Sequence, residues 1–479
     1  MVPEKTNRLN YKNLYINHFK INKMKKTYYL TMIAVIMSAG LSVAQAQNPE
    51  CMTNLSIYAE HAKVKNYDAA YEPWKKVMTD CPDLNKANIS YGERILKHKI
   101  KNSSGADKDG YVQELLSLYD DANKYFASKY PKGDVISDKA ILMDQQNMAS
   151  DKQVFDMMDT EFKANPTSFK NPKGLYLYFS SLVNLYDSGA KDIQEVFDTY
   201  DAVVEQMDNI NKGYTNNITK LLAKEEAGTI SSKEKKNLGI YSRNSEALGK
   251  VSESVDAKLG KLADCSNLIP LYEKNFDAKK GDVKWVKSAV GRMFAKECTD
   301  DPLFAKMVEV QAELDPSADV YVYLGTLKSK NGDKNGAIAD FNKAVELEAD
   351  AVKKSNILYK IATIVRRSSK SQARSYLRKA VQANPSNGRA YILEASLVAS
   401  SANACGKDTF EKRAIYWMAA NIAEKGARVD PSVSGSASRA AASYRAKAPD
   451  KTMIFNSGKA GQTISFSCWV GGSVKVPAL

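Results

Sequence analysis

Histidine is scarce in this 479-residue chain: it has three in all, and only His61 and His98 lie beyond the first 46 residues. Neither stands near another histidine, a cysteine or an acidic pair at the spacing that a metal site requires. The sequence also contains no H-E-x-x-H, P-loop or G-x-S-x-G motif. These absences argue against the common zinc-dependent, hydrolytic and nucleotide-dependent sites. We therefore expect a protein that is not an enzyme and holds no metal or cofactor.

Dense runs of one charge are also missing. The chain carries 69 Lys and Arg against 55 Asp and Glu, a formal net charge of +14. The first 46 residues contain seven of the basic residues and one Glu, so they account for +6 and leave +8 on the remaining 433 residues. Because Lys alternates with Asp and Glu along the rest, the pattern favours solvated helix faces over a phosphate-binding stripe. We expect no nucleic-acid partner.

The chain has little continuous apolar sequence apart from residues 29–43. Met-Lys-Lys at 24–26 precedes this run and Ala-Gln-Ala follows at 44–46, as in a bacterial signal peptide. About fifteen residues are too few to span a bilayer as a helix, so cleavage is favoured over anchoring. A lipid anchor on Cys51 is disfavoured, because Asn-Pro-Glu at 48–50 does not supply the small and aliphatic residues that it needs. We predict an exported protein without a transmembrane segment, located in the periplasm, at the outer membrane or outside the cell.

No cysteine falls in a C-x-x-C pair, and the even number of cysteines in an exported chain favours three disulfides. Sequence-neighbour pairing is the simplest of the fifteen connectivities. Free buried thiols are the alternative. The six cysteines are Cys51, Cys81, Cys265, Cys298, Cys405 and Cys468.

The stretch "YVYLGTLKSKNGDKNGAIADFNKAVELEAD", residues 321–350, has a spacing typical of a two-helix repeat. Its key positions are Tyr321, Gly325, Ala337, Phe341 and Ala344. These offsets match the 34-residue tetratricopeptide (TPR) pattern, in which small residues let two helices cross closely and large ones fill the gap to the next repeat. One repeat cannot bury its apolar face alone, so the pattern predicts a stack of such pairs.

Further repeats are predicted on both sides of this stretch. The Ala-large-Ala series returns at Ala373, Leu377 and Ala380, and a third unit begins at Tyr391, is interrupted around Cys405 and ends at 430–431. An earlier unit occupies 57–82, and helix pairs with degenerate spacing follow it.

A long helical hairpin is predicted between the two groups of repeats. Apolar residues advance by ones, threes and fours from 193 to 222, and a second stripe runs from 238 to 262. Ser231 and Glu234 form a capping box before the second helix. The hairpin is either a structural spacer packed on its neighbours or a projecting arm that contacts a partner.

The chain ends with an alternating segment in which Ile464, Phe466, Cys468 and Val470 share one face. Together with 473–476 it predicts a small antiparallel β-element. Its expected role is to cap the last repeat, and a ligand-binding role is the alternative.

These patterns predict an all-α fold: a TPR-like helical repeat solenoid with a long antiparallel helical hairpin and a small C-terminal β-element. The predicted divisions are an upstream extension with a cleaved signal peptide at 1–46, N-terminal TPR-like repeats at 47–187, the hairpin at 188–263, C-terminal TPR repeats at 264–448 and the β cap at 449–479.

Several segments carry a family resemblance: "ADCSNLIPLYEKNFDAKKGDVKWV", "KECTDDPLFAKMVE", "SANACGKDTFEKRAIYWMAAN", "ARVDPS" and "SCWVGGSVKV". They resemble the exported TPR proteins of Bacteroidetes-type Gram-negative envelopes over less than half of the chain. The resemblance implies a periplasmic or surface-associated repeat protein with disulfides, acting as a protein-binding scaffold without assigned catalysis.

The sequence thus favours a scaffold that binds an envelope protein or peptide in a concave groove lined by the first helices of successive repeats. It indicates no oligomeric state. The alternative is a glycan-capture accessory protein of an outer-membrane uptake complex, for which the sequence shows no evident aromatic platform. The residues predicted to face the groove are Tyr323, Thr326, Tyr359, Thr363, Arg366, Arg389, Ile392 and Ser396.

Overall fold

The computed structural model describes residues 48–260 and 262–479, and this part of the chain is built almost entirely from helices. It contains 21 α-helices, two short 3-10 turns and one two-stranded sheet, so the predicted all-α class is confirmed. Within these residues no helix is both long and apolar enough to cross a membrane. The predicted extension and signal peptide at 1–46 lie outside the described residues.

The chain divides into two compact units after Tyr130. The division falls inside the range 47–187 that the sequence analysis treats as one domain, and the predicted hairpin, C-terminal repeats and cap all belong to the second unit. The described part of the first unit holds four helices: α1 (Pro49–Lys63), α2 (Tyr67–Asp80), α3 (Ala87–Asn102) and α4 (Gly105–Phe126).

Trp74 lies at the centre of the first unit, where α2 crosses α3. Its indole N–H donates to the backbone oxygen of Asn88 at 2.8 Å. A Cβ atom at Gly92 would lie 2.5 Å from the indole, so this crossing requires glycine. The disulfide between Cys51 and Cys81 ties the start of α1 to the end of α2.

The second unit begins with three helices and a long hairpin. The helices are α5 (Lys132–Gln145), α6 (Asp151–Ala164) and α7 (Pro172–Asp187), with a 3-10 turn at Pro166–Ser168. The hairpin consists of α8 (Ile193–Glu226) and α9 (Ser232–Gly260), as predicted. The capping box is also present, because Ser231 N–H donates to Glu234 Oε2 at 2.9 Å and Glu234 N–H donates to Ser231 Oγ at 3.3 Å.

Twelve further helices follow the hairpin. They are α10 (Cys265–Lys279), α11 (Val283–Ala295), α12 (Pro302–Leu314), α13 (Ala318–Lys330), α14 (Lys334–Leu347), α15 (Ala351–Val365), α16 (Lys370–Ala383), α17 (Gly388–Ala399), α18 (Ala402–Cys405), α19 (Thr409–Val429), α20 (Ser434–Lys447) and α21 (Lys451–Ser457). A 3-10 turn at Pro431–Val433 joins α19 to α20.

The predicted repeats form antiparallel helix pairs, α13 with α14, α15 with α16, and α17 with α19. Ala337, Phe341 and Ala344 are buried at the first crossing. A Cβ atom at Gly325 would lie 2.5 Å from the Phe341 ring, which explains the glycine at this position. Close approach at small residues therefore builds the pair, as the spacing predicts.

The C-terminal sheet is smaller than predicted. Strands β1 (Thr463–Ser465) and β2 (Ser473–Lys475) pair antiparallel with Ile464 opposite Val474. The regular strand ends before Phe466, although the Phe466 N–H still donates to Gly472 O at 2.9 Å in the same antiparallel register. The apolar face of this β-element packs on Ile415 and other buried residues of α19.

Two more disulfides lie in the second unit. One joins Cys265 at the start of α10 to Cys298 after α11, and the other joins Cys405 to Cys468 in the loop between the strands. All three disulfides connect sequence neighbours among the cysteines.

Candidate partner-binding groove

The hairpin packs through its apolar stripe on the helices that precede and follow it. Val203 and Met207 of α8 and Leu248 and Val255 of α9 share one core with residues of α6, α7, α10 and α11. Gln206 adds a hydrogen bond from its amide to Phe169 O at 2.7 Å. This side of the hairpin is therefore held by apolar burial.

The hairpin meets the C-terminal repeats through polar contacts instead. Asn211 of α8 donates to Asp430 Oδ1 at 3.3 Å and to Ser432 Oγ at 3.1 Å. Ser245 of α9 donates to Asn211 Oδ1 at 2.7 Å, which holds that amide in place. Near the tip of the hairpin, Arg428 donates to Glu225 at 2.8 Å. These bonds position the hairpin beside the turn that joins α19 to α20.

Gly249 marks the closest approach between the hairpin and the repeats. A Cβ atom at this position would lie 1.9 Å from the backbone oxygen of Ser432. Backbone atoms cannot rotate away as a side chain can, so only glycine permits this packing. The hairpin is thus fitted closely to the 3-10 turn at Pro431–Val433.

A cavity of about 590 Å³ remains between the hairpin and the repeats. Helices α8 and α9 form one wall, and α15, α17 and the 3-10 turn form the other. We call this cavity the groove. The first helices of the second and third predicted repeats line it, and its opposite wall belongs to the same chain.

Five of the eight residues predicted to face a partner line the groove. They are Tyr359, Arg366, Arg389, Ile392 and Ser396. Thr363 does not line it, and its hydroxyl donates to Lys360 O at 2.6 Å within α15. The structure thus brings together the predicted residues of the second and third repeats except Thr363, and it leaves out those of the first repeat.

Tyr323 and Thr326 were expected on the groove surface, but they are buried. The Tyr323 ring is 4% exposed and packs against Phe294 and Phe304 at centroid distances of 4.9 and 6.1 Å. The Thr326 hydroxyl donates to Val322 O at 2.7 Å. The reason is that the preceding helices α11 and α12 cover this face of α13, which spacing within the repeat does not reveal.

The sequence does not predict that the hairpin forms one wall of the groove. Asp208 of α8 and Glu253 and Asp256 of α9 line this wall. They lie outside the apolar stripe that identifies the hairpin, and a polar helix face ordinarily indicates contact with water. These three carboxylates line the groove because the hairpin packs beside repeats that are distant in sequence.

Charge is divided between the two walls. The carboxylates of Asp208, Glu253 and Asp256 lie on the hairpin, whereas the guanidinium groups of Arg366 and Arg389 lie on the repeats. Among the residues that the structure describes, neither guanidinium group has a hydrogen-bond or ion-pair partner. The groove thus presents both signs of charge to an occupant.

The charged form of Asp208 is disfavoured by its surroundings in the groove. Its carboxylate reaches solvent, but the walls of the groove displace much of the water around it. This desolvation raises the pKa of Asp208 above its ordinary value, and the nearby guanidinium of Arg389 offsets only part of the rise. Asp430, Asp256 and other acidic neighbours push the pKa in the same upward direction.

Asp208→Asn is expected to raise the melting temperature at pH 7. A carboxyl whose pKa is higher in the folded state is penalised on folding while it is charged, so the penalty exists above the folded-state pKa. The penalty shrinks as the pH falls through the folded-state pKa and disappears below about pH 4, where the unfolded chain is protonated as well. Thermal melts of the variant and wild type across this pH range should therefore converge in acid.

Asp300→Asn provides the matched control. Its carboxylate bonds Lys330, which lowers its pKa, so its removal should not stabilise the protein at pH 7. A melting temperature of Asp208→Asn below that of wild type at pH 7, or a difference that grows in acid, would contradict the assignment.

A tetratricopeptide repeat family model matches residues 318–350, which coincide with α13, α14 and their flanking turns. No curated protein matches the sequence. The described residues contain no group of three or more His, Cys, Asp or Glu side chains placed to hold a metal ion.

Several solved structures are similar to this chain. One is a tetratricopeptide repeat protein from Parabacteroides merdae, which is 16% identical, with 66% of this chain and 99% of that chain covered and a TM-score of 0.23. Yeast Tom70 is 12% identical, with 92% and 98% covered and a TM-score of 0.24. A human IFIT1 dimer with PPP-AAAA is 13% identical, with 84% and 91% covered and a TM-score of 0.25.

Proposed function

We propose that this protein is an exported helical-repeat scaffold whose groove binds a segment of an envelope protein. The observation that carries the proposal is the groove itself, where five residues predicted to face a partner meet a second wall of polar side chains. Helical repeats commonly present such surfaces to other proteins. The matched TPR model at 318–350 supports this class of function.

The size and lining of the groove favour a short peptide segment as the occupant. A volume of about 590 Å³ lies within the roughly 300 to 1,000 Å³ typical of ligand sites, and it is far too small for a folded domain. Asn216 and Asn356 line it, and both are exposed. Asparagine amides both donate and accept hydrogen bonds, as an extended peptide backbone does at every residue.

The proposed envelope location rests on the disulfides and the predicted leader. Three disulfides are stable in an oxidising compartment such as the periplasm, and they are rare in a reducing cytosol. The signal peptide predicted within residues 1–46 would direct export to that compartment.

Site-specific photo-cross-linking in cells tests the proposal. A photoreactive amino acid at Ile392, inside the groove, is expected to form a discrete adduct with an envelope protein. The same amino acid at Leu347, an exposed position outside the groove, should not form that adduct. Arg389→Gln should weaken the adduct at position 392, because an arginine without a partner is available to the ligand.

Arg439→Gln is the matched control, since Arg439 is also exposed, lies outside the groove and has no hydrogen-bond or ion-pair partner among the described residues. Equal adducts at positions 392 and 347, or an adduct that Arg389→Gln leaves unchanged, would contradict binding in the groove.

A further inference from the structure

A second cavity lies on the outer face of α16, away from the groove. It measures about 250 Å³ and is bounded on one side by Trp469, in the loop between β1 and β2. The α16 side chains that line it are Ser371, Arg374, Ser375, Arg378, Lys379 and Gln382.

This cavity is cationic. Helix α16 contains four Lys and Arg and no Asp or Glu, unlike most of the chain, where both signs alternate. Among the described residues, Glu394 is the carboxylate that pairs with these cations: it accepts a bond from Arg374 Nε at 2.7 Å and lies 3.8 Å from Arg378 Nε. Lys379 has no ion-pair partner among the described residues, and its ammonium lies 5.6 Å from the Tyr376 ring centroid. Glu394 therefore pairs with two of the three cations and Lys379 has no counter-ion among the described residues, which leaves an excess of positive charge at the cavity.

Trp469 differs from the other tryptophans of the chain. It is 36% exposed, whereas Trp74, Trp285 and Trp417 are 2%, 6% and 6% exposed. Leaving part of an indole in water forgoes the favourable burial that the other three have. About a third of the Trp469 side chain thus remains accessible to a ligand.

The loop that carries Trp469 is held firmly. Cys468 is bonded to Cys405, and Val470 accepts a hydrogen bond from the buried guanidinium of Arg374. Gly471 N–H donates to Cys468 O at 2.9 Å, which closes the turn. The exposed indole is therefore positioned against α16 before any ligand arrives, and such preorganisation lowers the entropy cost of binding.

We propose that this cavity binds an acidic sugar unit of an anionic saccharide. Arg378 and Lys379 suit a carboxylate, phosphate or sulfate group. The indole offers an apolar face to a sugar ring and an N–H donor at its edge. Ser371, Ser375 and Gln382 can bond ring hydroxyls. The excess positive charge disfavours cationic ligands, which would otherwise use an exposed aromatic face.

This site is independent of the groove and of the protein partner proposed for it. The volume of about 250 Å³ lies below the range typical of drug-sized ligands, so it suits one ring of a chain and not a helix. The structure also supplies the exposed aromatic side chain that the sequence did not reveal.

Tryptophan fluorescence provides a direct test on the purified full chain. Titration with tetragalacturonate should change the emission saturably, because Trp469 is the one substantially exposed tryptophan among the four. Maltotetraose, a neutral sugar of equal length, should bind about tenfold more weakly or worse, since it cannot use the cations. Inorganic phosphate should also bind at least about tenfold more weakly than tetragalacturonate, since it cannot use the indole.

Variants then separate the contribution of the indole from that of the cations. Their affinities are measured by calorimetry. Trp469→Phe should abolish the fluorescence change and reduce tetragalacturonate affinity about tenfold. The double variant Arg378→Gln/Lys379→Gln alters two side chains on an exposed helix face, and it should reduce the affinity to that of maltotetraose. Arg439→Gln, away from the cavity, should bind like wild type.

Three results would overturn the proposal: no saturable binding of tetragalacturonate, equal affinity for maltotetraose, or full affinity in the Arg378→Gln/Lys379→Gln variant. Phosphate that binds as tightly as tetragalacturonate would also overturn it, since the site would then recognise an anion alone. None of these results affects the cross-link expected at Ile392. The saccharide proposal can therefore be rejected without rejecting the proposed groove.

Discussion

Gly249→Ala is expected to destabilise the second unit by about 3 kcal/mol and to separate the hairpin from the C-terminal repeats. The added Cβ would lie 1.9 Å from Ser432 O, so one of the two backbones has to move. Overpacking of this kind typically costs about 1 to 3 kcal/mol, and a clash with backbone belongs at the upper end. Denaturant unfolding gives the free energy, and hydrogen exchange at 431–433 reports the separation.

Gly239→Ala on the same helix is the matched control. The nearest atom to its added Cβ is the flexible guanidinium of Arg243 at 3.4 Å, so no backbone has to move. Alanine also favours the helix over glycine, and this variant should be up to about 1 kcal/mol more stable than wild type. If Gly249→Ala behaves like Gly239→Ala, the hairpin is not fitted to the turn as described.

The same variant links the hairpin to partner binding. If the hairpin is a wall of the groove, its displacement by Gly249→Ala should weaken the adduct formed at Ile392. The sequence leaves two alternatives for the hairpin, a spacer packed on its neighbours or a projecting arm. The contacts show a hairpin packed on its neighbours. Its apolar side packs on α6, α7, α10 and α11, and its polar side bounds a cavity.

Local patterns predict the helical architecture well because each pattern has a local cause. Gly325, Ala337 and Ala344 are small because two helices adjacent in sequence cross there, and the capping box of Ser231 and Glu234 involves residues three apart. The three disulfides join cysteines 30, 33 and 63 residues apart. Features of this kind are visible within a few tens of residues.

The groove could be predicted only in part, because its second wall comes from a distant segment. Asn211 meets Asp430 more than two hundred residues later, and nothing in either local sequence indicates the contact. The predicted exposure of Tyr323 is wrong because helices outside its own repeat, α11 and α12, cover its ring. The exposure of Trp469 likewise depends on how the terminal loop packs on α16.

The last prediction concerns the disulfide between Cys405 and Cys468, which joins the β-element to the insertion of the third repeat. A two-stranded hairpin alone is marginal in water, so this element depends on its attachment. Ile464 and Val474 pack against α19, and the disulfide adds a covalent constraint. For a separation of 63 residues, the loop-entropy model gives a stabilisation of about 4 kcal/mol.

Cys405→Ala/Cys468→Ala is therefore expected to release the β-element while the repeats remain folded. Trypsin should cleave the variant early at Lys459 and Lys475, whereas α13 to α16 should stay intact, as judged by mass spectrometry of the fragments.

Cys51→Ala/Cys81→Ala removes a disulfide from the first unit and should leave cleavage at Lys459 and Lys475 at the wild-type rate. In the non-reduced wild-type protein, peptide mapping should recover a fragment that links Cys405 to Cys468. If both thiols are found free, or if the double variant resists trypsin as wild type does, the β-element is held in place without the disulfide. Trp469 would then be positioned by packing and by the bond from Arg374 to Val470, and the saccharide affinity of the double variant would match that of wild type.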